Sequence, residues 1–153
     1  MNYNILFLGT LSDPNDESYL IKNSKVGIQN QVNHFQYAIL NGFIKNNINK
    51  LKLINVVPVG IFPTSYKKIR LKSKEWVFND QINSIQIGSL NLPVIKQVAR
   101  EYNVRKQISK WIKQNDSKNK QLVMYGLYLP FLKALKRMNL NNVNVTAIVT
   151  DIP

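Results

Sequence analysis

A chain of 153 residues carrying a formal net charge of +13 has room for one hydrophobic core and favours anionic partners. It has no cysteine and one histidine, which excludes disulfides, thiolate metal sites and a histidine-built metal centre. No apolar run approaches the ~20 residues of a membrane span and no basic leader precedes a cleavage site, so a cytoplasmic protein, soluble or peripheral at the inner face of the membrane, is expected.

Asn4–Gly9, NILFLG, is a short apolar run ending in glycine, the pattern of a buried strand in a parallel sheet. A polar loop with SDPND follows, rich in Pro and Asx turn chemistry. Within SDPNDES, Asp13 and Asp16 read as turn residues, with a metal-binding carboxylate pair as the alternative; no metal site is expected. In residues 27–43, GIQNQVNHFQYAILNGF, apolar side chains recur at helical spacing. Val32, Phe35, Ile39 and Phe43 share one stripe, widened by Leu40 and Ile44.

Polar side chains crowd the front of this helix: Asn30, Asn33, His34 and Gln36. Asn33 and Gln36, three apart, occupy neighbouring positions on one face. They either hydrogen-bond a polyol such as a sugar or tie down the preceding loop. His34 is either a general base, a histidine titrating near ~6.5 when unperturbed, or a structural or solvated side chain.

Residues 51–57, LKLINVV, predict a second strand stopped by Pro58. Residues 67–78 alternate between basic and apolar and, with residues 82–87, predict short strands or a hairpin. Lys67, Lys68, Arg70, Lys72 and Lys74 there either meet phosphate or anionic lipid or protect an exposed edge strand. From Pro93 the pattern turns helical, with Ile95, Val98, Tyr102, Ile108 and Ile112 as its apolar positions and Lys96, Arg100, Lys106, Lys110 and Lys113 as a second basic set. Residues 120–126, KQLVMYG, predict another buried strand, then a helix with Phe131, Leu132, Leu135 and Met138 turned inward. Residues 143–150, VNVTAIVT, predict the last strand.

Strands alternating with helices predict an α/β, Rossmann-like, doubly wound architecture with a mainly parallel sheet and helices on both faces. Ligands bind such sheets outside the carboxyl ends of the strands. Gly9, Thr10, residues 88–91 with Asn91, Tyr125, Gly126, Thr150 and Asp151 fall at those ends. Asp151 either meets a substrate hydroxyl or serves as a loop or cap acid. The glycine fingerprint of dinucleotide sites and the lysine-bearing phosphate loop of nucleoside triphosphatases are both missing.

NILFLGTL, NHFQYAILNGF, VVPVGIFP, IGSLNLPVIKQ, VMYGLYLPFLKAL and IVTDIP occur in the order found in bacterial glycosyltransferases of the GT-B fold. The chain resembles the amino-terminal half of family-4-like enzymes of surface polysaccharide synthesis along essentially its whole length. The resemblance implies that residues 1–153 form one acceptor-side domain, with the nucleotide-sugar donor held by a carboxy-terminal domain that this sequence does not contain. It implies no cofactor in the chain itself and no sugar transfer by the chain alone. Gly9, Thr10, Asn33, His34, Gln36, Asn91 and Tyr125 would line the acceptor cleft, and Tyr128 stands near the place where relatives often carry a histidine. The implied partners are a glycan or lipid-linked acceptor, an anionic membrane surface and a separate donor-domain chain. A reading of a different class is a basic binding module or non-catalytic subunit that recognises nucleic acid, polyphosphate or anionic membrane.

Overall fold

The computed structural model describes residues 3–27, 30–48, 50–114 and 119–150. Among the described residues there are eight strands and four helices, in the order β1 (Asn4–Gly9), α1 (Glu17–Asn23), α2 (Asn30–Lys45), β2 (Lys50–Val56), β3 (Arg70–Leu71), β4 (Lys74–Phe78), β5 (Ile82–Ile87), β6 (Ser89–Leu90), α3 (Ile95–Gln114), β7 (Lys120–Tyr125), α4 (Leu129–Lys136) and β8 (Val143–Ile148). The main sheet has the order β4-β5-β2-β1-β7-β8, and β3 pairs with β6 in a small antiparallel ribbon. All pairings in the main sheet are parallel except β4 with β5. This is the Rossmann-like, mainly parallel α/β fold that the alternating pattern predicts.

β1 lies between β2 and β7, and all six of its residues are buried. A strand covered on both faces needs no polar side, which is why NILFLG reads as a nearly unbroken apolar run. Successive side chains point to opposite faces. Ile5 and Phe7 meet Leu40 of α2 with Leu53 and Val123, while Leu6 and Leu8 meet Val104, Ile108 and Phe131 of the α3 and α4 layer. Each such side chain contributes about 1.5–3 kcal/mol by leaving water. The strand order reverses at β1, so the crevice of the fold opens outside the carboxyl ends of β1 and β7.

The middle of the chain resolves into the β4–β5 hairpin, with β5 also joining β2 in parallel. Asn79 and Asp80 sit at φ of 46° and 54°, the left-handed pair that a tight hairpin turn requires and that Asn and Asp tolerate. The SDPND segment is more than a loop. Asp13 caps a 3-10 turn at Pro14–Asp16 by accepting from the Asn15 N–H at 3.0 Å, and the chain continues directly into α1.

The apolar stripes differ from the sequence expectation in three places. Phe35 and Leu132 are exposed rather than inward. In α3 the second half buries Val104, Ile108 and Trp111, but the first half is reversed: Ile95, Val98 and Tyr102 face solvent while Lys96, Arg100 and Glu101 are buried. The cause is local. The chain after β2 leaves carbonyl groups that need donors, and Lys96 Nζ donates to Val59 O at 2.5 Å while Arg100 Nη2 donates to Val57 O at 2.8 Å. Among the described residues no helix is long and apolar enough to cross a membrane.

Candidate functional site

The carboxyl end of β1 is closed by one amide. Gln36 Oε1 accepts from Thr10 N–H at 2.9 Å, and Gln36 Nε2 donates to Thr10 O and to Val32 O, both at 3.2 Å. Gly9 lies close beneath it: a Cβ there would stand 2.9 Å from Gln36 Oε1, so a larger residue would push this amide aside. Next to this closure, Asn55 of β2 donates from Nδ2 to Leu11 O at 2.8 Å and accepts from Trp76 Nε1 at 3.1 Å. These bonds hold residues 10–12 at the crevice and use both Nε2 protons and one lone pair of the Gln36 amide.

Asn33, one turn earlier on α2, behaves differently. Its Nδ2 donates to Ser12 Oγ at 3.2 Å, while its buried Oδ1 has no partner. Asn33 lines a cavity of about 250 Å³ with Ser12, Glu17, His34, Tyr37 and Asn41. The Tyr37 hydroxyl donates to Ser12 O at 2.7 Å, and burial raises its pKa, so it stays neutral at physiological pH. The exposed imidazole of His34 meets the Tyr37 ring edge-on at 6.2 Å between centroids. An acceptor oxygen, a hydroxyl, an imidazole and an aromatic wall therefore converge on one small space, a set that suits hydroxyl-bearing ligands.

The other expected site residues divide. Tyr125 is buried and its ring stands 6.0 Å from that of Phe35. The Tyr128 hydroxyl accepts from Arg100 Nη1 at 2.8 Å and donates to Gln97 Oε1 at 3.3 Å, tying α3 to the start of α4. Asn91 is fully buried and knits the loop after β2: its N–H donates to Ile69 O at 2.6 Å, its Nδ2 to Lys68 O at 3.2 Å, and its O accepts from Phe62 N–H at 3.0 Å. Asp151 lies outside the described residues.

Of the basic cluster, Lys67 Nζ donates to Lys22 O at 2.8 Å, and Lys74 Nζ bridges Asp13 at 2.6 Å and Asp16 at 2.8 Å. Burial works against the Lys74 ammonium, but its bonds to both carboxylates outweigh that and raise its pKa. Lys68, Arg70 and Lys72 remain exposed.

Sequence reasoning missed Ser12 and Tyr37. Tyr37 follows Asn33 by four residues and so shares its helix face, a spacing that could have revealed it; Ser12 carried no signal of its own.

Buried polar atoms without partners gather at this end of the sheet. Asn33 Oδ1, Tyr66 Oη, Gln86 Oε1, Ser89 Oγ, Asn91 Oδ1 and Arg100 Nε all lie in or just beyond the carboxyl ends of the strands, and only Gln107 Oε1 lies elsewhere, among the described residues. Such groups are rare in folded proteins, and each costs about 1–3 kcal/mol when nothing meets it. The opposite end holds a wide groove of about 1130 Å³ lined by Arg105, Lys106, Lys110, Lys113 and Arg137, with no carboxylate in its wall among the described residues. No family model matches the chain, and no curated protein or solved structure matches it.

Proposed function

We propose that this chain is the acceptor-binding domain of a GT-B glycosyltransferase, which in complete form moves a sugar from a nucleotide-sugar donor to a glycan or lipid-linked acceptor. The observation that carries this reading is Asn33: a buried carbonyl oxygen without a partner, on a residue that lines a cavity at the carboxyl end of the central strand. A sugar is the ligand that fits, because one of its hydroxyls donates to Asn33 Oδ1 while a neighbouring hydroxyl keeps its own proton and oxygen available for reaction.

In the complete enzyme the reacting acceptor hydroxyl would lie against His34, next to the hydroxyl held by Asn33. Its oxygen bonds to the anomeric carbon of the donor, the bond from that carbon to the nucleoside diphosphate breaks, and the hydroxyl proton passes to the imidazole of His34 as general base. The donor is held by a second domain or a separate chain, so the chain alone binds acceptor without transferring sugar. The exposed lysines and arginines suit work at the inner, anionic face of a membrane.

A glycan array tests this reading, with the wild-type chain and Asn33→Ala applied in parallel. Selective retention of hydroxyl-rich ligands by the wild type, lost in Asn33→Ala, is expected. Equal retention by both would contradict it.

A second reading rests on the lysine-lined groove of α3. A nucleic acid or polyphosphate bound there would dissociate steeply as salt rises, in proportion to the phosphates neutralised.

A further inference from the structure

A second cavity opens at the same rim, on the other side of the 3-10 turn and α1. That segment turns Pro14 and Glu17 toward the Asn33 cavity and Asp16, Tyr19 and Leu20 toward this one. The cavity holds about 320 Å³, and Tyr66, Arg70, Lys72 and Gln86 belong to its wall. That volume is at the small end of the range for organic ligands.

Two residues of its wall carry buried, unpartnered polar atoms: Tyr66 Oη, on a residue 1% exposed, and Gln86 Oε1, on a residue 6% exposed. The Gln86 amide is held in place, since its Nε2 donates to Lys72 O at 3.2 Å. Gly88, just past β5, fixes the same stretch of wall. Its N–H donates to Ser73 Oγ at 2.9 Å, and a Cβ at Gly88 would collide with the Ser73 nitrogen. Burial pushes the Tyr66 phenol up to about 12, so the group remains an O–H donor at physiological pH.

The charge of the wall is also unbalanced. Lys74 is neutralised by Asp13 and Asp16, whereas Arg70 and Lys72 face no carboxylate at ion-pair distance among the described residues. The ring of Tyr19 and the side chains of Leu20, Val57 and Leu71 supply apolar surface.

Each of these features excludes a simpler ligand. An inorganic phosphate dianion would satisfy the cations and could give its one proton to Gln86 Oε1, but it is too small to fill about 320 Å³ and leaves the apolar surface of Tyr19, Leu20, Val57 and Leu71 uncovered. A neutral sugar would meet Gln86 and Tyr66 but leave Arg70 and Lys72 without a counter-charge. We infer that the cavity binds a small phosphorylated polyol, its phosphate against Arg70 and Lys72 and its hydroxyl groups against Gln86 Oε1 and Tyr66 Oη. The same chemistry is offered by a soluble sugar phosphate and by the headgroup of a glycerol-bearing phospholipid.

The test is calorimetric titration of the full chain with glucose 6-phosphate, glucose and inorganic phosphate, alongside co-sedimentation with phosphatidylglycerol vesicles. Saturable binding of glucose 6-phosphate is expected, at least about tenfold tighter than either glucose or phosphate. Arg70→Gln combined with Lys72→Gln changes only exposed side chains and should weaken it by about tenfold or more with the melting temperature unchanged. Tyr66→Phe removes a hydroxyl that has no partner in the fold, so it should weaken binding while leaving the melting temperature unchanged or higher. A structural role would lower the melting temperature instead. If the natural source is lipid, the vesicles also bind and show the same sensitivity to both variants.

Equal affinity for phosphate and glucose 6-phosphate would overturn the proposal, as would binding insensitive to Tyr66→Phe. Vesicle binding without any glucose 6-phosphate binding would overturn it too, leaving only a basic surface. Asn33→Ala should not affect this titration, so its result and that of the acceptor reading fail separately.

Discussion

The two ends of the parallel sheet handle polarity in opposite ways. At the carboxyl end, dipoles and cations are buried, several of them without partners; at the amino end, around the second half of α3, lysines are plentiful but stay in water. An exposed charge costs the fold little and holds its partners weakly, whereas a buried dipole left unmet is expensive. The net charge of +13 therefore does not mark the site by itself. What distinguishes the rim beyond β1, β2 and β5 is that most of the unmet buried polar atoms among the described residues lie there.

The sharpest way to break this comparison uses two amides of one helix. Gln36→Ala removes three hydrogen bonds that close the end of β1, and we expect it to cost about 2–4 kcal/mol, read as a lower urea midpoint with unchanged slope. A loss below ~1 kcal/mol would mean that the closure is dispensable.

The buried cations of α3 give the next effect. Burial, and then the neighbouring Arg100, lower the Lys96 pKa from 10.5 to about 8. Between those values the unfolded chain binds more protons than the folded one, so this residue makes the fold more stable as pH rises, by at most about 1.4 kcal/mol per pH unit. Lys74, with its raised pKa, acts the other way only above 10.5. Urea unfolding at about pH 7 and about pH 9.5 should show the gain in the wild type and lose it in Lys96→Met.

Smaller still is Asn33→Ala, which removes one weak bond to Ser12 and should change stability by less than ~1 kcal/mol while reducing acceptor affinity about tenfold. Smallest is Lys106→Glu with Lys110→Glu in the groove, expected within ~0.5 kcal/mol of the wild type. If polyanions bind there, that variant abolishes the salt-sensitive binding and spares glycan binding.

Much of the fold was legible because buried parallel strands are written as short apolar runs. NILFLG and KQLVMY both carry that pattern, and β1 matches its expected bounds. The first half of α3 was not legible, because its apolar residues suggested an inward stripe at Ile95, Val98 and Tyr102. The carbonyls of Val57 and Val59 overrode that pattern, and such a demand arises from chain geometry rather than residue spacing. In the site, the cluster of amides at the front of α2 was visible, but the division of labour within it was not. Gln36 ties the loop through Thr10, and Asn33 also ties it, through one bond to Ser12, with its Oδ1 left unpartnered. Ser12 is brought in by the turn that Asp13 caps, which no periodicity announces.

An amide-resolved NMR titration with an oligosaccharide acceptor tests the central claim most directly. The account predicts saturable shifts at Ser12, Asn33, His34 and Tyr37, with Lys106 and Lys110 unmoved. Shifts confined to the second half of α3, or none on the carboxyl rim, would contradict it.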